Sequence, residues 1–103
     1  MLDKSTVVNT ATRYAEAVSR EFSPAAVILF GSYINGTPDE DSDIDIGVLF
    51  NGFSGDWRKA NSRLWNIAYD VSWDIEPHLL DMARDPSGFA KYVLATGQVL
   101  YHA

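Results

Sequence analysis

The chain has no cysteine, which excludes disulfides and thiolate metal sites. It has no apolar run approaching the roughly 18 residues that a membrane span needs. Its start, Met1-Leu2-Asp3-Lys4, lacks the charged-then-apolar layout of a signal peptide. Basic residues are scarce, with 8 Lys and Arg against 14 Asp and Glu, for a net charge of −6. A sequence-independent grip on nucleic acid needs clustered cations, so direct nucleic-acid binding is not expected. Internal repeats, low-complexity tracts and linkers are also missing. What is present is 103 residues, 47% hydrophobic and 21% charged. That balance predicts one globular domain over 1–103, cytoplasmic, with a modest core that an oligomer or partner interface would help.

Periodicity supplies the elements. Apolar residues from Val7 to Phe22 recur at three- and four-residue steps, which predicts a helix with Ser5 or Thr6 as N-cap and Ser23-Pro24 as its end. Ala25–Phe30 is a continuous, β-branched run and predicts a buried strand. Gly31 to Ser42 is polar, with two glycines and a proline, and predicts a loop or a short helical turn. Asp43–Phe50 alternates Asp-Ile-Asp-Ile, as a strand with one wet face does. A second amphipathic helix is predicted from about Asp56 to Asp70, burying Trp57, Leu64, Trp65 and Ala68. A third strand is predicted over Ser72–Leu80, where Pro77 indicates an edge or bulge. Asp85-Pro86 opens a last helix that Gly97 closes, and Gln98–Tyr101 forms a small terminal strand. The order α-β-β-α-β-α(-β) predicts an α/β (α+β) fold, a small mixed β-sheet flanked by helices.

Asp43 and Asp45 stand two apart on a predicted strand, so both carboxylates leave one face, from Cα atoms about 6.5–7 Å apart. Two like charges so placed conflict, and hard divalent cations such as Mg²⁺ resolve the conflict. Ile44 and Ile46 fix the opposite, buried face. An acidic run from Asp39 to Asp45 is usually a solvated loop, but such a loop has no need of isoleucines. An EF-hand beginning at Asp41 fails, because Ile46 and Gly52 stand where Gly and Glu are required. Gly31-Ser32 follows the first strand; glycine lets backbone approach a phosphate, and a serine hydroxyl can donate to one. Phosphate cradle and metal pair together describe metal-assisted phosphoryl or nucleotidyl transfer. A third carboxylate is expected from Trp73–Leu79, which places Asp74, Glu76 and His78 on one face. Asp74 is the preferred ligand or general base and Glu76 the alternative. Taken one at a time, Glu76 and His78 read as exposed strand positions, while Trp57, Trp65 and Tyr69 read as core or partner interface.

Gly31-Ser32, ten intervening residues and Asp43-Ile44-Asp45 together resemble the Gly-Ser-x10-Asp-x-Asp signature of the DNA polymerase β-like nucleotidyltransferase superfamily, and the chain's size resembles its minimal members, the MNT antitoxins. Gly36 fits a further glycine of that loop. The resemblance implies a polymerase β-like palm fold and AMP transfer from ATP with Mg²⁺, two ions being expected. It further implies Gly31, Ser32 and Gly36 at the nucleotide, with Asp43, Asp45 and Asp74 as the catalytic metal triad. It implies, too, a small helical HEPN toxin as partner, in a hetero-oligomer, with a tyrosine hydroxyl of that toxin as acceptor; a homodimer is the other assembly expected. Relatives often carry basic residues after Gly-Ser, whereas Tyr33, Ile34 and Asn35 stand here. Arg58, Lys59, Arg63, the metal or the partner would then meet the triphosphate. A non-catalytic reading, in which the chain neutralises a partner by occlusion, stands beside the enzymatic one.

Overall fold

A computed structural model describes residues 2–36, 38 and 43–103. Asp39, Asp41 and Ser42, cited above in the acidic run, lie outside the described residues. Eight elements follow in order: α1 (Lys4–Phe22), β1 (Ala26–Phe30), α2 (Ser32–Asn35), β2 (Ile44–Phe50), α3 (Trp57–Val71), β3 (Ile75–Asp81), α4 (Phe89–Thr96) and β4 (Gln98–His102). The mixed sheet flanked by helices matches the fold expected from the sequence. No helix among the described residues is long and apolar enough to cross a membrane.

Local chemistry sets the boundaries, with some corrections. The cap of α1 is Asp3 rather than Ser5 or Thr6, its carboxylate accepting from the Thr6 N–H at 2.8 Å. Ser23, left-handed at φ 49°, ends this helix before Pro24. Asp56 caps α3 by accepting from the Lys59 N–H at 3.1 Å. Helix α4 begins at Phe89, later than Asp85-Pro86 suggests. Asp85 instead reaches forward to accept from the Ala90 and Lys91 N–H groups at 2.9 and 3.1 Å. Gly97 closes that helix as expected, donating to the Val93 carbonyl at 2.8 Å.

The strands lie in the order β3-β2-β1-β4. β1 runs antiparallel to β2 and β4, whereas β2 and β3 are parallel and joined through α3. Pro77 therefore sits on an edge strand, where its missing N–H costs no second ladder. On one face Val27, Leu29, Ile44, Ile46, Val48 and Ile75 pack with α1 and α3 into the main core. Each fully buried aliphatic side chain stabilises by roughly 1.5–3 kcal/mol, which makes this layer the principal anchor of the sheet. Tyr14 joins α1 to α3, its hydroxyl donating to the Leu64 carbonyl at 2.9 Å, and burial pushes its pKa above the ordinary phenol value. On the other face α4 lays Ala90 and Val93 over Ala26, Ile28, Phe30 and Leu49. Trp57 and Trp65 are not buried as expected: Trp57 is exposed and Trp65 half-exposed, while Ala60, Leu64, Ile67 and Ala68 make the contact.

Candidate active site

Topology brings the chemistry to one end of the sheet. The parallel strands β2 and β3 begin at the same end, and antiparallel β1 finishes there. Gly31-Ser32, the start of β2 and the start of β3 consequently meet. Asp45 pairs in register with Phe30 on one side and with Glu76 on the other. Ile44 and Ile46 point into the main core, completely buried, so the alternation of a strand turns Asp45 to the opposite face, the one α4 only partly covers.

Gly31 is locked to that carboxylate. Its φ of 85° and ψ of −151° belong to backbone that glycine alone adopts readily. A Cβ at Gly31 would overlap the Asp45 side chain, so the turn and the acidic strand can touch only because residue 31 is glycine. Ser32 then opens the short α2, which Gly36 closes in a left-handed conformation at φ 82°, its N–H donating to the Ser32 carbonyl at 3.1 Å. Tyr33 is buried beneath the turn, and its carbonyl accepts from Lys4 Nζ at 3.3 Å.

Three donor atoms, one each from Asp45, Glu76 and His78, lie within 4.8 Å of one another. His78 Nε2 and Asp45 Oδ1 are 3.1 Å apart, and both side chains keep an opening to solvent, at 29% and 23% exposure. Asp43, one residue ahead of β2 and exposed, stands close enough to Glu76 to share a hydrogen bond with it. Burial pushes the Glu76 carboxyl above its ordinary range; His78 opposes that shift, while Asp45 and Asp43 add to it. Three carboxylates converging beside an imidazole form a donor set suited to a divalent cation.

The third carboxylate brought to Asp45 is that of Glu76. Strand β3 begins at Ile75, not Ser72, and Asp74 stays in the preceding turn, exposed. There it accepts from the Ser72 hydroxyl at 3.4 Å, while its backbone carbonyl accepts from the Ile44 N–H at 2.7 Å. Glu76 and His78, which read singly as exposed strand positions, are both half-buried members of the group. No signal in the sequence singles out Glu76; the parallel register, which pairs Asp45 with Glu76, decides which acid is its neighbour.

The cations expected to meet a triphosphate are elsewhere. Phe50 lies five residues beyond Asp45, roughly 16 Å along the strand, and Lys59 shares a hollow with it and Phe22. Arg63 is paired to Glu21 at 2.7 Å. Lys4, against the Tyr33 carbonyl, is the basic side chain that the structure sets at the Gly31-Ser32 turn.

Known structures share this fold. A nucleotidyltransferase structure from Sulfolobus solfataricus superposes with a TM-score of 0.69 at 20% identity, covering 96% of this chain and 83% of the other. A toxin–antitoxin crystallised with AMP-PNP gives 0.63 at 26% identity, covering 89% and 73%. A mutant of the toxin–antitoxin MntA-HpeT gives 0.57 at 23%, covering 99% and 75%. No curated protein sequence matches the chain. Residues 13–103 match the family described as Polymerase beta, Nucleotidyltransferase. That match takes in β1, the Gly31-Ser32 turn and the carboxylate group, and by it the chain belongs to the polymerase β nucleotidyltransferase family.

Proposed function

We propose that the chain transfers AMP from ATP to a hydroxyl of a partner protein, a tyrosine of a HEPN-type toxin, and so acts as that toxin's antitoxin. The observation that carries the chemistry is the meeting of Asp45, Glu76 and Asp43 beside Gly31-Ser32. Two of the similar structures are toxin–antitoxins, one of them with an ATP analogue, and this supports the nucleotide and the kind of partner.

The residues divide the work by position. Ser32 donates its hydroxyl to a phosphate oxygen at the glycine turn, and Lys4 adds positive charge beside it. Asp43, Asp45 and Glu76 would hold divalent metal, expected as Mg²⁺, which when bound supplies Lewis-acid stabilisation of the phosphate charge. The acceptor oxygen attacks the α-phosphorus, the bond to the bridging oxygen breaks, and pyrophosphate leaves. A carboxylate of the group accepts the hydroxyl proton. Asp74, turned toward Ser72, is left outside this scheme.

A second reading, neutralisation by occlusion, draws on one specific feature. Trp65, Tyr69 and Trp73 form an aromatic ladder with ring centroids 5.9 and 5.1 Å apart, and Trp73 is 83% exposed. Surfaces of this kind are common at protein interfaces. A binding module, however, has no physical need to crowd three acids around one point. Incubating the chain, Mg²⁺ and the protein encoded beside it with α- or γ-labelled ATP separates the readings. Label entering protein from the α position only, and lost in Asp43→Asn, establishes nucleotidyl transfer. Label from neither, with a stable complex between the two proteins, leaves occlusion.

A further inference from the structure

The imidazole of His78 is placed with more care than an exposed strand position needs. Its ring meets the edge of Phe30 at a centroid distance of 5.1 Å and an angle of 63°. On its other flank Phe89 stands at 6.5 Å, and Phe89 itself packs on Phe30 at 5.7 Å. Both phenylalanines belong to the layer that α4 lays over the sheet. Two aromatics thus hold the ring and leave Nε2 directed at Asp45, while the side chain stays 29% exposed. The 3.1 Å between His78 Nε2 and Asp45 Oδ1 is that of a hydrogen bond. It is also about the spacing of two adjacent ligands on an octahedral ion with bonds of about 2.1 Å. The Glu76 oxygen lies within 4.8 Å of both, little more than the roughly 4.2 Å that separates opposite ligands on such an ion.

We infer that His78 is a nitrogen ligand of the divalent-metal site, and that this ligand turns the site's preference from Mg²⁺ toward a divalent first-row transition cation such as Mn²⁺. The inference rests on the reading of Asp43, Asp45 and Glu76 as metal ligands and specifies which cation they hold. Carboxylates alone suit Mg²⁺ and Mn²⁺ nearly alike, whereas an imidazole adds a donor that later first-row ions accept and Mg²⁺ seldom takes. The sequence holds one other histidine, His102, which pairs with Ala26 at the far end of β1 and cannot reach the group. A nitrogen signal from bound metal therefore identifies His78 alone.

The test is electron spin echo spectroscopy of Mn²⁺ bound to the full chain, prepared with natural-abundance histidine and with ¹⁵N-histidine. Imidazole nitrogen modulation that changes on ¹⁵N labelling, persists in His102→Gln and vanishes in His78→Gln is the expected result. His78→Gln should also bring the ratio of Mn²⁺ to Mg²⁺ affinity down about tenfold by calorimetry. Mn²⁺ bound without nitrogen modulation in the wild-type chain overturns the inference and leaves the carboxylate site standing, with His78 only hydrogen-bonding Asp45. Absence of Mn²⁺ binding overturns both. The isotope comparison uses the unsubstituted protein, so it does not depend on either variant folding.

Discussion

The parallel pair β2–β3 carries carboxylates at both ends, and the two ends differ in what answers the charge. At the far end Asp81 is nearly completely buried, yet it accepts from the Gly52, Phe53 and Ala83 N–H groups at 2.8, 2.9 and 2.9 Å. Those bonds hold its carboxyl below the ordinary carboxylate range. At the near end Glu76 is pushed the other way, by burial and by Asp45 and Asp43, with His78 only partly offsetting them. One acid is satisfied by the fold and stabilises it; the others are brought together against their mutual repulsion. The difference teaches that burial alone does not set the direction of a carboxylate's displacement: N–H donors lower it, and neighbouring carboxylates without such donors raise it.

The largest effect should come from the near end. Asp43→Asn or Asp45→Asn is expected to lower transfer of label from α-labelled ATP by about a thousandfold or more, since each removes charge stabilisation at the reacting phosphate. In metal-free buffer the same variants should melt at or above the wild-type temperature, because each relieves like-charge repulsion. Full transfer in both variants would remove the metal assignment. A marked fall in melting temperature would break the contrast, by showing that these acids also hold the fold.

The complementary substitution is Asp81→Asn. The amide oxygen can replace Oδ1, which serves Gly52 and Ala83, but its NH₂ then faces the Phe53 N–H, donor against donor. A loss of roughly 5–10 °C in melting temperature is expected, with transfer per folded molecule within about twofold of wild type. Stability against pH sharpens the same point. The folded pKa of Asp81 lies below the unfolded value near 3.8, so its contribution is present above that value and is lost as pH falls through the folded pKa. The folded pKa of Glu76 lies above 4.5, so its penalty is absent below 4.5 and sets in as pH rises through the folded value. In metal-free calorimetric melts, Asp81→Asn should flatten the acid limb below pH 3.8, and Glu76→Gln should remove a fall in stability above pH 4.5.

Much of this was legible because sequence spacing and strand alternation are rigid. Ile44 and Ile46 must enter the core, and Asp45 must therefore face away from it. Helix α1, the Gly31 turn and the Gly97 stop follow from periodicity and glycine conformation in the same way. Asp74 against Glu76 was not legible, because both lie on one face of a long strand and a start at Ile75 decides between them. Trp57 and Trp65 misled for a related reason. A helix as rich in aromatics as α3 offers more apolar side chains than one face can bury, and the small Ala60 and Ala68 permit the close approach. The distance of Arg58, Lys59 and Arg63 from the site follows from α3 running alongside β2 and beginning at its far end, a fact of topology rather than of local sequence.

The smallest effects concern cations at these same two ends. Lys4 Nζ lies 3.3 Å from the Tyr33 carbonyl, beside the turn assigned to phosphate, and Lys4→Ala should raise the KM for ATP a few-fold with little change in kcat. Arg63 pairs with Glu21 at 2.7 Å, but the two side chains are 48% and 42% exposed. Solvent screens such a pair, so Arg63→Ala should shift the melting temperature by no more than about 2 °C. It should leave KM for ATP unchanged, because no phosphate is expected at that end. Steady-state kinetics on both variants test the assignment of ends: a larger KM change in Arg63→Ala than in Lys4→Ala would place the triphosphate away from Gly31-Ser32.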